Sequence, residues 1–112
     1  MANEPLSAQH CRPQTGKEKL DPKLVATYLG EVRGWTSDGD SIRKEFKFAD
    51  YFHTMAFVNA VASIAHREDH HPDLEVGYSR CFVRYSTHDV GGLSRNDFIC
   101  AAKVDDMVVG SR

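Results

Sequence analysis

The sequence predicts an α+β fold: a four-stranded antiparallel sheet with three helices on one face, in the order α-β-β-α-β-β-α. Three observations predict it. Residues 35–48 and 74–86 alternate apolar and polar side chains around central turn residues, the period of half-buried strands paired as hairpins. Three other stretches, opening at Asp21, Asp50 and Ser94, carry apolar residues at helical spacing behind a side chain suited to capping. Finally, 112 residues with 41% hydrophobic and 27% charged side chains suit one globular domain with its own core.

Residues 1–19 are polar, contain Pro5, Pro13 and Gly16 and keep no period, so they read as a flexible N-terminal leader ahead of a single domain over 20–112. Asp21-Pro22 is an N-cap followed by proline at the first helical position. Leu24, Val25, Tyr28, Leu29 and Val32 then recur at helical spacing towards Gly34. Ser37-Asp38-Gly39-Asp40 is turn chemistry within the first hairpin, whose second strand places Ile42, Phe46 and Phe48 on one face. Trp35, at its start, reads as core or pocket wall. Asp50 caps a longer helix to about Arg67, with Phe52, Met55, Ala56, Val61 and Ile64 as its expected core positions.

His70-His71-Pro72 breaks that helix and restarts the chain extended, since proline disfavours the helical region for the residue before it. Residues 74–78 and 81–86 form the second hairpin, in which Cys81, Val83 and Tyr85 alternate against Arg80, Phe82 and Arg84. Gly91-Gly92 reads as a flexible joint. The last helix runs from Ser94 to about Met107, with Phe98, Ala101, Ala102 and either Asp105 or Met107 along it.

Composition excludes several classes of function. Fourteen Lys and Arg against 16 Asp and Glu leave a net charge of −2, so neither nucleic acid nor an anionic membrane meets a basic footprint. Cys11, Cys81 and Cys100 are odd in number, distant in sequence and form no Cys-x-x-Cys pair, which argues against a disulfide framework and a thiolate zinc site. The first twenty residues hold no signal-peptide core and no later run reaches membrane-spanning length, so a cytoplasmic location is expected.

The residues that carry chemistry are His70, His71, His88 and Asp97. Imidazole is the side chain that gives and takes protons near neutral pH without heavy tuning. A reaction that removes a proton from one atom and protonates a leaving hydroxyl on its neighbour needs an acid and a base on opposite sides of a small substrate. His70 and His71 sit on an extended segment and so point roughly opposite ways, which gives them different roles. The second hairpin runs out and returns, bringing His88 back beside the His70–Pro72 segment. Asp97, on the first turn of the last helix, can hydrogen-bond a histidine and fix its tautomer. It can equally close a capping box with Ser94. A His-His pair is also common on surfaces. A metal held by three histidines stays open, with His66 and His70 four residues apart.

The spacing of these residues resembles the pterin-4a-carbinolamine dehydratase family, whose motif runs His-His-Pro, an aromatic, His, Asp. Here His70-His71-Pro72 is followed after five residues by Tyr78, after nine more by His88 and after eight more by Asp97. Ser86-Thr87-His88-Asp89, Gly92-Leu93-Ser94 and Gly34-Trp35 are also similar to the family, and the likeness spans residues 20–108. The chain departs from the pattern at His66, Leu74 and Asn96. The resemblance implies expulsion of water from a 4a-hydroxytetrahydropterin to give the quinonoid dihydropterin, which recycles the cofactor of aromatic amino acid hydroxylases. It implies His70 and His88 as the acid–base pair, His71 as an orienting group and Asp97 as support. Pro72, Thr87 and Asp89 would line the pterin alongside the histidines. The expected partners are the pterin substrate and further copies of the chain, as homodimer or homotetramer, with no nucleic acid or membrane. No metal or organic cofactor is implied. Relatives that act as dimerisation cofactors of a transcription factor imply the alternative of an interaction module, and action on another pterin is a third reading.

Overall fold

The computed structural model describes residues 4–110, with the side chains of residues 109 and 110 left aside. Its elements are α1 (Pro22–Leu29), β1 (Thr36–Asp38), β2 (Ser41–Lys47), α2 (Tyr51–Glu68), β3 (Asp73–Val76), β4 (Arg80–Tyr85) and α3 (Arg95–Gly110). The expected order α-β-β-α-β-β-α is therefore found. The four strands form one antiparallel sheet in the order β1-β2-β4-β3.

The strand register follows from the alternation. Ile42 lies opposite Tyr85, Lys44 opposite Val83 and Phe46 opposite Cys81, and all but Lys44 are buried on the helix-facing side. A one-residue slip would turn that whole apolar set to solvent, so the register is strongly specified. Lys44, the polar member of the inward face, is neutralised there: its Nζ lies 2.9 Å from Asp105 Oδ1, and Trp35 Nε1–H donates to both oxygens of the same carboxylate at 3.1 and 3.0 Å. The outer face carries Arg43, Glu45, Arg80 and Arg84, with the Arg43 guanidinium 4.5 Å above the Phe82 ring. Such a face needs no second layer.

Asp50 caps α2 as its position predicts, accepting from His53 N–H at 2.8 Å. The buried stripe of α2 is Thr54, Phe57, Val61, Ile64 and Ala65. Val61 and Ile64 match the expected core. Phe52 does not, being 75% exposed, and Ala56 also faces out. Phe57 takes the core place instead, 4.7 Å from the Phe46 ring and 5.0 Å from that of Phe48. Helix α1 is shorter than its periodicity suggests: it ends at Leu29, and Val32 is buried from the loop beyond. It rests on α3 by stacking of Tyr28 on Phe98 at 5.2 Å.

The polar segment before α1 is read from sequence as a loose leader, yet residues 6–20 are held at intervals along the domain. Leu6 is buried in a short 3₁₀ turn, the Cys11 N–H donates to Glu68 Oε1 at 2.8 Å, and Arg12 and Asn96 exchange hydrogen bonds at 3.0 and 2.7 Å. Leu20 N–H donates to Leu93 O at 2.8 Å. The anchor of this strap is Glu68. Burial alone would raise its pKa, but hydrogen bonds from Cys11 and His10 and the charge of Lys103 outweigh that and hold it below the usual range. None of these contacts has a periodic signature, because each pairs a residue of the strap with one far along the chain.

Candidate active site

The break after α2 sets the site. The helix ends on Asp69, whose left-handed backbone (φ 51°) is one that aspartate tolerates better than most residues, and His70 N–H closes the end on Ala65 O. This turn takes His70 off the helical face of His66. Pro72 then leads into β3, where Asp73 pairs with Arg84. The chain leaving β4 after Tyr85 therefore starts its next segment, Thr87 to Asp89, at the same end of the sheet as His70, His71 and Pro72. The hairpin return expected from sequence is thus realised by register.

At that end lies a closed polar cluster. Asp97 is fully buried at the start of α3. Its Oδ2 accepts from the Ser94 N–H at 2.9 Å and the Thr87 hydroxyl at 2.8 Å, and its Oδ1 lies 2.6 Å from His70 Nε2. Thr87 Oγ1 and Ser94 Oγ are a further 2.6 Å apart, and the Asn96 N–H donates to Ser94 Oγ. Asp97 thus fills both roles open to it, closing the helix start on Ser94 and holding a histidine. The other partners of its oxygens are donors, so the hydrogen-bond network makes His70 Nε2 the donor of this pair and leaves Nδ1 outside it. Below the imidazole, the Tyr85 ring lies parallel at 5.7 Å with an interplanar angle of 8°. The His70 side chain is 11% exposed, so its ring is held by Asp97 and Tyr85 yet still reaches the surface.

The other expected residues are placed more openly. His71 and His88 are exposed, and among the described residues neither side chain makes a hydrogen bond or ion pair. His88 opens a 3₁₀ turn, His88–Val90, closed by Gly91 in a left-handed conformation (φ 66°). The Gly91-Gly92 pair is therefore a shaped corner, fastened by the Thr87–Gly92 bridge, more than a joint. Asp89 is exposed and accepts from the Thr15 hydroxyl at 3.4 Å, so the strap reaches this segment. Pro72 is half-buried and Thr87 buried.

Tyr78, the aromatic anchor of the spacing pattern, is elsewhere. It stacks on Tyr51 at 6.3 Å at the opposite end of β4 and is 70% exposed. Tyr85 is the member of the cluster that sequence did not single out, since it carries only the signal of a buried strand residue, whereas Ser94 stands out as a cap and within Gly92-Leu93-Ser94. Burial, then the neighbouring Cys100 and Cys11 thiols, push the Tyr85 hydroxyl well above its usual range, and among the described residues it has no hydrogen-bond partner. A separate cleft of about 870 Å³ lies between the strap and the start of α3, lined by Arg12, Lys17, Tyr28 and Arg95 among others, but not by His70, His71 or His88. Among the described residues no three His, Cys, Asp or Glu side chains converge as metal ligands, and no helix is long and apolar enough to cross a membrane.

The chain as a whole is similar to known proteins. Residues 18–107 match the family model described as pterin 4 alpha carbinolamine dehydratase. A Xanthomonas oryzae pv. oryzae protein provisionally named pterin-4-alpha-carbinolamine dehydratase is 60% identical over 102 residues, covering 88% of this chain and 86% of that one. One from Nitrosospira multiformis, under the same provisional name, is 52% identical over 103 residues and covers 91% of both chains. Among solved structures, a transcriptional coactivator/pterin dehydratase from Brucella melitensis superposes with a TM-score of 0.78 at 27% identity, over 80% of this chain and 98% of that one. A pterin dehydratase-like protein described as a RuBisCO assembly factor in the alpha-carboxysome shares the fold at a TM-score of 0.54 and 23% identity, over 65% of this chain and 84% of that one.

Proposed function

This chain belongs to the pterin 4 alpha carbinolamine dehydratase family, and on that footing we propose that it expels water from a 4a-hydroxytetrahydropterin to leave the quinonoid dihydropterin. The observation that carries the reading is the His70–Asp97 contact of 2.6 Å inside the Thr87–Ser94 cluster. A buried carboxylate surrounded by donors orients one imidazole and presents its remaining nitrogen outward, as a proton-transfer group needs. The N5 proton of the pterin leaves to one imidazole while the 4a-hydroxyl takes a proton from another and departs as water; a C4a=N5 double bond forms between them. His70 and His88 form this pair, His71 orients the ring, and Pro72, Thr87 and Asp89 line its edge. The C4a–O bond breaks as two protons move, one off N5 and one onto the leaving hydroxyl, and imidazoles can carry both, so the proposed reaction calls on no metal or organic cofactor. Recycling the pterin of an aromatic amino acid hydroxylase is the physiological role of such a reaction.

A stopped-flow assay of 4a-hydroxytetrahydropterin breakdown in the presence of a metal chelator tests this. Breakdown is expected to be faster with the protein than without it, by the same factor whether or not chelator is present. A rate equal to the spontaneous one, or activity abolished by chelator, would overturn the reading.

The exposed aromatic patch at the other end of the molecule favours a second role, assembly with further copies of the chain. Tyr51, Phe52 and Tyr78 are 52%, 75% and 70% exposed, and Val76 lies on the adjacent edge strand. Exposed apolar residues gathered in one place mark contact surfaces. Sedimentation velocity is expected to find a dimer or tetramer that Phe52→Ser weakens. A monomer at all concentrations would rule this role out.

A further inference from the structure

The three cysteines are free, and two of them meet although they stand 89 positions apart: Cys11 Sγ and Cys100 Sγ are separated by 3.5 Å. Neither position falls in the proton-transfer cluster. We propose that Cys11 and Cys100 form a site of reversible intramolecular disulfide formation that fastens the N-terminal strap to α3. The backbone around Cys11 is already fixed from two sides. Its own N–H is held by Glu68 at the end of α2, and Arg12 exchanges two hydrogen bonds with Asn96 at the start of α3. A disulfide needs the sulfurs at about 2.05 Å, so the pair must close by about 1.5 Å from its 3.5 Å contact.

Access sets the order of events. Cys11 is partly exposed and Cys100 fully buried, so Cys11 meets an oxidant first. The hydrogen bond with Cys11, and then burial, push the Cys100 thiol far up, which keeps it protonated until its neighbour has reacted. With a small-molecule disulfide RSSR as oxidant, the Cys11 thiolate attacks one sulfur and releases RS⁻, leaving Cys11 as a mixed disulfide. The Cys100 sulfur then gives up its proton and attacks Cys11 Sγ, expelling the second RS⁻. Two protein thiols are oxidised, RSSR is reduced, and the two displaced thiolates leave as two RSH. Cys81 takes no part: it is fully buried, and its Sγ contacts Phe82 O at 3.6 Å. Four residues beyond Cys11, Thr15 touches Asp89, so the same fastening holds the strap against the segment that carries His88.

The test is oxidation of the full chain with oxidised glutathione, followed by mass measurement and peptide mapping without reductant. The expected product is a single chain lighter by two hydrogens, containing a peptide pair joined through Cys11 and Cys100 and restored by dithiothreitol. Cys11→Ser, at a partly exposed position, is expected to abolish the product. Amide exchange over residues 6–20 is expected to slow by about tenfold or more in the oxidised form. A stable glutathione adduct on Cys11 without the joined pair, a chain-to-chain disulfide, a bond to Cys81, or unchanged exchange in the oxidised chain would each overturn the proposal. The mapping is done on the native sequence, so it does not depend on any variant folding.

Discussion

Replacing His70 or His88 with alanine is expected to slow dehydration of a 4a-hydroxytetrahydropterin by roughly 10²–10⁴, the usual share of one general acid or base. The two variants should fail for different structural reasons. His88 is exposed, and among the described residues no side-chain hydrogen bond or ion pair holds it, so His88→Ala should melt within about 4 °C of the native chain, the shift that the roughly ±0.5 kcal/mol usual for a surface substitution gives in a domain of this size. His70 stacks on Tyr85 and pairs with Asp97, so His70→Ala also leaves a buried carboxylate short of one donor and should melt earlier. Circular dichroism at the assay temperature separates the effects. Single-turnover rates equal to the native rate in both variants would remove the acid–base assignment.

Asp97→Asn is expected to lower kcat on the order of 10²-fold while leaving the KM for the pterin within a few-fold, because Asp97 acts through His70 and does not touch the substrate. The amide has nearly the shape of the carboxylate but presents an NH₂ where the site offers only donors: the Ser94 N–H, the Thr87 hydroxyl and His70 Nε2–H. At least one donor is left unpaired or one ring is forced to its other tautomer. The accompanying loss of stability is about 1–3 kcal/mol, the cost of an unsatisfied buried polar group. A merely structural Asp97 would give a different result, with the unfolding midpoint shifted but kcat unchanged per folded molecule. Measuring kcat and KM well below the melting temperature, beside a urea titration, distinguishes the two.

The parts of this molecule that local chemistry dictates were readable in the chain. Asp50 and Asp21 cap where their positions predict, accepting from His53 N–H and Leu24 N–H, because a cap and its partners lie within one turn. The alternation of Cys81, Val83 and Tyr85 matches their complete burial, since period two needs only the strand itself. Within α2 the same logic met its limit. The helix holds two apolar stripes, one through Phe52, Met55 and Ala56 and another through Phe57, Val61 and Ile64, and periodicity alone ranks them equally. Docking on the sheet chose the second, where Phe57 meets Phe46 and Phe48, and left Phe52 in solvent.

The candidate site divides in the same way. The spacing pattern named His70, His71, Pro72, His88 and Asp97, and the register of β3 on β4 brings the His70–Pro72 segment and the chain leading to His88 to one end of the sheet. Tyr78, an anchor of the same pattern, lies at the other end beside Tyr51, because a fixed interval in sequence does not imply nearness once the chain has run the length of a strand.

By itself, then, the amino-acid sequence determined the order of elements, the caps at Asp21 and Asp50, the buried faces of the two central strands and the break at His70-His71-Pro72, all of them consequences of neighbours within a few residues. Only the tertiary structure decided that Asp97 would receive His70 across 27 positions, that Tyr85 would lie beneath that ring, and that Cys11 would come to rest on Cys100. The physical reason is that hydrogen bonds and close contacts act over a few ångströms of space, whereas the distance between two segments of chain is set by how every element between them packs.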